Sequence, residues 1–259
     1  ISPKFLNYKN IHGIILPKHI FINSNIMEFS TTAILSLYLV FLALNIKNNR
    51  KLKTSILIVN ILLILYLGKL SVILTGVASI LIVGLIRFIS KTLPNKKTYV
   101  ILSIIMVATV ALTGILLPHI IKSPNLIKLF SGRLELWERF TSYFTEGGLK
   151  ALFGYGFVDP NLNIGKFYHP HNQYITVLYT TGLFGYLAYI SILIYTLNKN
   201  IIFSIKHKIY SNLYILISIL ILQVADDYFV LTSFPLTICI IIYYLNNNPE
   251  QKNRKMVAI

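Results

Sequence analysis

The sequence predicts an all-α polytopic membrane protein, and three observations support this fold class. Of the 259 residues, 55% are hydrophobic and only 12% are charged, which is too apolar for an ordinary soluble domain. Several windows of roughly 17–25 residues hold almost no charge, and a helix of that length crosses about 30 Å of hydrocarbon. The apolar runs are continuous rather than alternating, which argues against a transmembrane strand barrel.

About seven transmembrane helices fit the apolar runs and the polar breaks between them. The stretch 54–90 is too long for one span, because its 37 residues would reach roughly 55 Å as a helix. Gly68 and Lys69 therefore mark a tight turn. The predicted spans are 28–46, 52–68, 70–90, 98–117, 172–197, 211–225 and 229–245. They form a single membrane domain (1–259), and residues 118–171 form one large extracytoplasmic loop.

The basic residues orient these spans. The chain has 24 Lys and Arg against 8 Asp and Glu, a formal net charge of +16. In the seven-span topology, four basic clusters fall on one side of the membrane, at 47–53, 87–97, 199–208 and 252–255. Basic loops stay cytoplasmic, so the 118–171 loop is expected on the outer face. A charge distributed in this way indicates membrane topology and not a nucleic-acid partner.

Two further features narrow the chemistry. The single cysteine, Cys239, lies inside an apolar run, so neither an intrachain disulfide nor a redox function is expected. The sequence has no GxGxxG and no GxxxxGK[ST] motif, and nothing else in it indicates a nucleotide cofactor. No cofactor is therefore expected.

The outer loop contains a predicted amphipathic helix at the membrane interface. In "SGRLELWERFTSYFTEGG", the apolar side chains Leu134, Trp137, Phe140 and Phe144 recur at helical spacing. The pair Gly147-Gly148 supplies the stop. A helix with a Trp and Phe face is expected to lie in the interface plane, against lipid or against the other spans.

The two arginines of this helix differ in their sequence surroundings. Glu135 precedes Arg139 by four residues, the order that favours a surface ion pair. Arg133 has no carboxylate three or four residues further along. A guanidinium at a membrane surface is well suited to phosphate oxygens, which it binds in bidentate fashion. The alternative for Arg133 is a side chain that snorkels to lipid headgroups.

The loop ends in a cluster of polar residues that leads directly into a long apolar run, "HPHNQYITVLYTTGLFGYLAYI". His169 and His171 end the loop, and Asn172 starts the fifth span. The start of a helix offers N–H groups and a positive dipole end, which suit anions such as phosphate. Two alternatives stay open: His171 bonds a backbone carbonyl, or the His-x-His pair holds a metal, which is weak without carboxylate or Cys ligands nearby.

Several stretches together resemble the O-antigen ligase and polymerase superfamily. The outer loop of this superfamily carries an Arg…Trp element, a G-x-G turn, and His-Asn ahead of a helix with a G-[ILF]-x-G step. The corresponding stretches here are "SGRLELW", "FGYGF" and "HPHNQYITVLYTTGLFGYLAYI" with Gly182 and Gly185. Upstream, "HGIILPKHIFINSNIMEFS" with Asn25 is similar to an N-x-N stretch of the family, and the likeness spans most of residues 12–190.

The chain also departs from the family pattern. Where family members often carry Ser-Arg at the start of a helix, this chain has Gly68-Lys69, and a lysine keeps the charge but lacks the planar fork of arginine. Family members commonly have ten to twelve spans. We therefore expect a C-terminal portion of such a protein or a shortened member.

The resemblance implies a metal-independent glycosyltransferase in the bacterial cytoplasmic membrane, with its active site facing outward. Its partners would be an undecaprenyl-diphosphate-linked oligosaccharide, an acceptor glycan or lipid, and membrane lipids. Because the loop is compact, we expect an O-antigen or capsule polymerase, which extends a surface polysaccharide by lipid-linked repeat units. An O-antigen ligase and a protein O-oligosaccharyltransferase are the alternatives within the same superfamily.

This reaction suggests a role for each candidate residue. Arg133, with Lys69, would stabilise the charge on the leaving diphosphate. His171, matched to the family motif, would accept the proton of the acceptor hydroxyl. Asp226 and Asp227 are a rival base, or they simply mark a polar turn between the last two spans. The remaining predicted substrate contacts are Trp137, Tyr168, His169 and Asn172.

Two functions of other classes are the alternatives to this one. A transporter or flippase for lipid-linked saccharides would be marked by charged residues at mid-membrane and by paired interrupted helices. The predicted spans are nearly free of charge, with Asn60 as the main polar insert, and polarity gathers at one surface. A scaffold subunit would need neither the Arg133 position nor the His-Asn helix start.

Overall fold

The helices follow the apolar runs of the sequence, since a backbone in hydrocarbon has to satisfy its polar groups internally. The structure, a computed structural model, describes residues 8–11, 14–17, 26–44, 46, 49–67, 70–121, 133–145, 147–156 and 170–225. Its elements are the strands β1 (Tyr8–Ile11) and β2 (Ile14–Pro17) and the helices α1 (Ile26–Ala43), α2 (Arg50–Leu67), α3 (Leu70–Thr92), α4 (Lys96–Ile120), α5 (Arg133–Thr145), α6 (Leu149–Phe153), α7 (Gln173–His207) and α8 (Ser211–Ala225).

The predicted all-α fold class is confirmed. The predicted spans that fall within the described residues are helical, and the predicted amphipathic helix of the 118–171 loop is present as α5. The strands β1 and β2, which the sequence analysis did not predict, form one small antiparallel hairpin with Ile11 opposite Ile14. The described residues form two compact units, the first built from residues up to Val83 with Ile209–Ser218 and the second from Gly84–Lys208 with the residues from Ile219 onward.

The first unit is held together by close helix packing. Helix α1 packs against α2. The buried ring of Phe41 stacks on Tyr214 with 5.0 Å between the ring centroids. The hydroxyl groups of Ser79 and Ser218 are 3.0 Å apart, and Gly76 lies against the side chain of Leu37. Small residues and hydroxyl pairs of this kind are typical of contacts between membrane helices.

The second unit contains the outer-loop helices. Helix α4 packs along α7, α5 rests against both, and α6 packs against α7. One face of α4 presents a buried stripe of mostly small side chains at helical spacing, namely Ser103, Val107, Ala111 and Gly114. Small side chains let helix backbones approach closely. This close approach brings α4 next to the start of α7.

Three helices in the described part of the chain are long and apolar enough to cross a membrane, namely Ser71–Thr92, Lys96–Ile120 and Gln173–His207. Thr32–Ala43 and Ser211–Val224 are shorter apolar helices. Helix α2 covers the second predicted span, but it begins with the basic residues Arg50, Lys51 and Lys53. The seventh predicted span, 229–245, lies outside the described residues, so the count of seven stays a prediction.

Helix α7 is longer than the predicted fifth span and is not one continuous helix. It runs from residue 173 to 207, whereas the predicted span ends at 197. The polar residues that ended the prediction continue the helix, because polarity marks where a helix leaves hydrocarbon and not where it ends. Gly182 has non-helical backbone angles, φ 65° and ψ −167°, and divides α7 into 173–181 and 183–207.

Candidate functional site

Helix α5 lies with its apolar side inward. Leu134, Trp137 and Phe140 are buried and pack with Ile175 and Tyr179 of α7 in one apolar cluster. The exposed side of α5 carries polar residues, namely Glu135, Glu138, Arg139 and Ser142. The predicted apolar spacing therefore fixes which side of α5 faces α7.

A side-chain hydrogen bond joins α5 to the end of the 118–171 loop. The indole Nε1–H of Trp137 donates to the backbone carbonyl of Pro170 over 2.6 Å. The residue after Pro170 is His171, and the next is Asn172. Arg133 precedes Trp137 by four residues, so it projects from the same side of α5, about 6 Å further along the helix axis. The bond thus brings the start of α5 and the His-Asn pair to the same place.

His171 has an unusual backbone conformation for a residue other than glycine. Its φ is 49°, in the left-handed region. Histidine, asparagine and aspartate adopt this region more often than other side chains, and residues held in it are frequent at functional sites. The side chain of His171 is half-buried at the boundary between loop and helix.

Asn172 is fully buried and caps α7. Its Oδ1 accepts a hydrogen bond from the backbone N–H of Ile175 over 3.2 Å, and its carbonyl accepts one from Thr176 over 2.9 Å. Its Nδ2 has no hydrogen-bond partner among the residues that the structure describes. That amide lies against Gly114 of α4, where any Cβ atom would clash with it. Gly114 therefore makes the space that Asn172 occupies.

The G-x-G turn of the loop docks on the break in α7. The N–H groups of Tyr155 and Gly156 donate to the carbonyls of Tyr179 and Thr180, each over 2.9 Å. The break at Gly182 leaves these carbonyls outside the regular helix pattern, and the turn supplies their donors.

The backbones of the loop and the helix come very close at this point. Gly154 has φ 79° and Gly182 has φ 65°. A Cβ atom on Gly154 would clash with the backbone of Thr180 and Gly182, and one on Gly182 would clash with the backbone of Leu152 and Gly154. Each glycine is therefore required by its conformation and also by the closeness of the other segment.

Aromatic rings cover this docking point. The ring of Tyr155 stacks on that of Tyr179 with centroids 4.6 Å apart and an interplanar angle of 3°. Phe140 meets the same Tyr179 ring edge-on at 5.1 Å. The Nζ of Lys150 lies 4.8 Å from the centre of the Tyr155 ring, a distance at which a cation and an aromatic face attract.

A small cavity of about 10 Å³ lies beside these rings, between α5 and α7. This volume is close to that of one water molecule and far below that of a saccharide. Thr141 lines it, and the Thr141 hydroxyl also lies 3.4 Å from Nε2 of His119, at the end of α4.

The structure describes only part of the predicted site. Arg133, Trp137, His171 and Asn172 are described, and the Trp137–Pro170 bond marks a junction between α5 and the segment that carries His171 and Asn172. The other predicted contacts lie outside the described residues, namely Lys69, Tyr168, His169, Asp226 and Asp227. Within the described part of the chain no group of three or more His, Cys, Asp or Glu side chains is placed to hold a metal ion. Metal independence stays a prediction.

Sequence reasoning missed three residues near this junction. Gly114 and His119 lie near the end of α4, well before α5 in sequence, and the packing of α4 against α5 and α7 brings them near. Lys150 follows the helix stop at Gly147-Gly148, and no pattern in the sequence predicts another helix there. The only feature of the sequence that pointed to Lys150 was its position, as a basic residue, beside the G-x-G turn.

These features define a class of protein: an α-helical membrane protein whose long loop is hydrogen-bonded to one broken helix beside the break. A family model described as O-antigen ligase matches residues 55–190, more than half of the chain, and the chain belongs to this family. Members of the family are membrane enzymes, ligases and polymerases, that act on lipid-linked saccharides and their acceptors. The resemblance identified from the motifs is thereby confirmed. No curated protein and no solved structure matches the chain.

Proposed function

We propose that this protein polymerises undecaprenyl-diphosphate-linked repeat units of a surface polysaccharide on the outer face of the cytoplasmic membrane. The family supports a ligase or polymerase type of function in general. The observation that supports this particular site is the bond from Trp137 to Pro170. It holds the start of α5, with Arg133, next to the loop end that carries His171.

The proposed reaction is a glycosyl transfer. The hydroxyl oxygen of the acceptor saccharide attacks the anomeric carbon of the donor, and the bond from that carbon to the diphosphate oxygen breaks. His171 takes the proton of the attacking hydroxyl. Arg133 stabilises the negative charge that develops on the departing lipid diphosphate. The new glycosidic bond leaves the extended glycan on the acceptor lipid.

The role of Arg133 rests on its position. Arg133 and Arg139 both take part in side-chain interactions. The presence of a partner therefore does not distinguish one arginine from the other. Arg133 is half-buried on the side of Trp137, whereas Arg139 is exposed on the opposite, polar side. Arg133 therefore faces the junction with His171, and Arg139 faces away from it.

Ligase and protein O-oligosaccharyltransferase activities use the same donor chemistry and differ in the acceptor. A lipid-linked saccharide flippase is the alternative of another class. The family argues against a flippase, because its members are ligases and polymerases that act on lipid-linked saccharides.

The test compares surface glycan on a gel from a deletion strain that carries each variant. We expect His171→Asn and Arg133→Ala to reduce the glycan ladder to a single repeat, with normal amounts of protein in the membrane. Asn tolerates the left-handed conformation at position 171, so backbone strain does not cause the loss. The matched controls are His119→Asn and Arg139→Ala, which should keep long chains.

The gel also separates the alternatives. A ladder that collapses to one repeat identifies a polymerase, and intact long glycan left on the carrier lipid identifies a ligase. Asp226→Asn and Asp227→Asn test the rival base. Long chains from His171→Asn or from Arg133→Ala would contradict the proposal.

A further inference from the structure

The short helix α6 exposes apolar side chains although it belongs to a loop. Leu149 is 74% exposed and Phe153 is 62% exposed. Lone exposed apolar residues are common, but a helix of five residues that exposes two large ones, with a third at Leu152, forms a continuous patch. Contact between this apolar patch and water is energetically unfavourable.

The patch continues onto an apolar face of α7 that is expected to contact lipid. The ring of Phe153 contacts the ring of Phe184 with centroids 5.5 Å apart, and Phe184 is itself 57% exposed. Further along α7, Leu187, Ile192 and Tyr195 are exposed on the same side. Because α7 is one of the helices long and apolar enough to span a membrane, this face is covered by hydrocarbon when the helix is in the bilayer.

The backbone of the loop is bonded in the way that hydrocarbon requires. The N–H groups of Ala151, Gly154, Tyr155 and Gly156 all donate to backbone carbonyls. Two of the acceptors belong to the break in α7. A broken helix at membrane depth would otherwise expose carbonyls to lipid, at a cost of several kcal/mol each. The loop segment must therefore lie at the depth of the break.

The one cation of this segment is placed to reach the headgroups. Lys150 is exposed, and its Nζ lies 4.8 Å from the centre of the Tyr155 ring. A lysine beside an apolar patch keeps its charge at the membrane surface while its methylene groups cover apolar atoms. Anionic phosphate groups of lipids attract such a charge.

The geometry points to residues 149–156 as a membrane-inserted segment, whose partner is the phospholipid of the leaflet on the loop side. Leu149 and Phe153 lie in the hydrocarbon beside Phe184, the Gly154–Gly156 turn closes the break in α7 at the same depth, and Lys150 meets the phosphate groups. The loop thus contacts the lipid directly beside α7 and does not lie wholly in water above it.

The first test measures depth by spin labelling. In a Cys239→Ser background, Leu149→Cys, Phe153→Cys and the control Ser142→Cys, on the polar side of α5, each carry a nitroxide label. The labelled proteins are placed in nanodiscs of phosphatidylethanolamine and phosphatidylglycerol. We expect labels at 149 and 153 to collide several-fold more with oxygen, and several-fold less with a water-soluble nickel chelate, than the label at 142. Nickel accessibility equal to that at 142 would overturn the inference.

A second test uses a milder change, in case the labelled variants fold poorly. Phe153→Trp adds one indole to a chain whose only other tryptophan, Trp137, is buried. Brominated phospholipids should quench the added fluorescence strongly relative to the parent protein. Absence of additional quenching would contradict insertion. Neither test involves a saccharide, so each outcome is independent of the proposed reaction.

Discussion

The indole of Trp137 and the carbonyl of Pro170 are 33 residues apart in sequence and 2.6 Å apart in space. Both residues are buried. A buried carbonyl that loses its donor is left unsatisfied, which costs more than the bond itself contributes. This pair therefore controls how firmly α5 is attached to the His-Asn helix start.

Replacing Trp137 by Phe should weaken this attachment while keeping an aromatic ring in the core. We expect Trp137→Phe to destabilise the protein by about 1–3 kcal/mol, because the Pro170 carbonyl loses its partner. Glycan extension should fall as well. Thermal unfolding in nanodiscs and the gel ladder measure the two effects. Phe144→Leu, on the same helix and without a polar group, is the control, and equal behaviour of the two variants would refute the role of the bond.

The glycines of the docking point offer a sharper comparison. Gly148, Gly154, Gly156 and Gly182 all have positive φ, but a Cβ atom would meet nothing within 4 Å at Gly148 or Gly156. Alanine at these two positions should cost only the conformational strain, of order 1 kcal/mol.

Alanine at Gly154 or Gly182 adds a clash with backbone that cannot move aside. We expect Gly154→Ala and Gly182→Ala to lower the unfolding temperature clearly more than Gly148→Ala and Gly156→Ala, and to abolish glycan extension. If all four variants behave alike, the close approach of loop and helix is not what these glycines provide.

The contact between Gly114 and Asn172 predicts a coupling between distant positions. Gly114→Ala should destabilise the protein by about 1–3 kcal/mol, because the new methyl group meets the buried amide of Asn172. Asn172→Ser keeps a capping oxygen but shortens the side chain. The double variant should therefore be more stable than the sum of the single effects predicts. Gly84→Ala, in a helix with open space around it, is the control, and strict additivity in the double variant would disprove the contact.

The stack of Tyr155 on Tyr179 should be sensitive to ring loss and not to the hydroxyl alone. Tyr155→Leu removes the stack and the face that Lys150 covers, so we expect a loss of about 0.5–1.5 kcal/mol in unfolding free energy beyond that of Tyr155→Phe. Chemical denaturation of the two variants under identical lipid conditions measures the difference. A Phe variant as unstable as the Leu variant would assign the effect to the hydroxyl.

Local patterns of the sequence predicted the helices well. The spacing of Leu134, Trp137 and Phe140 is the spacing of the buried side of α5, and Gly147-Gly148 follows its end. Asn172 stands before the first helical residue of α7, where a side-chain oxygen is favoured. These features depend only on neighbours within one or two turns, which a sequence pattern records.

The junction itself depends on contacts between distant segments. A glycine within an apolar run is tolerated in many membrane helices, so nothing near Gly182 revealed that α7 breaks there. The break becomes stable only because the turn at Gly154–Gly156, some 25 residues earlier, supplies donors for its carbonyls. The bond between Trp137 and Pro170 is equally non-local. Pairings of this kind leave no periodicity in the sequence.

The early break in α7 also limits how deep any water-filled space beneath the loop extends. The segment 173–181 rises only about 14 Å, less than half of the roughly 30 Å of hydrocarbon. Below Gly182 the helix continues with apolar side chains toward lipid, and the turn at Gly154–Gly156 blocks the way alongside it. Under the proposed function, a saccharide chain that is extended at this junction would therefore grow on the loop side of the break and not along the lower part of α7.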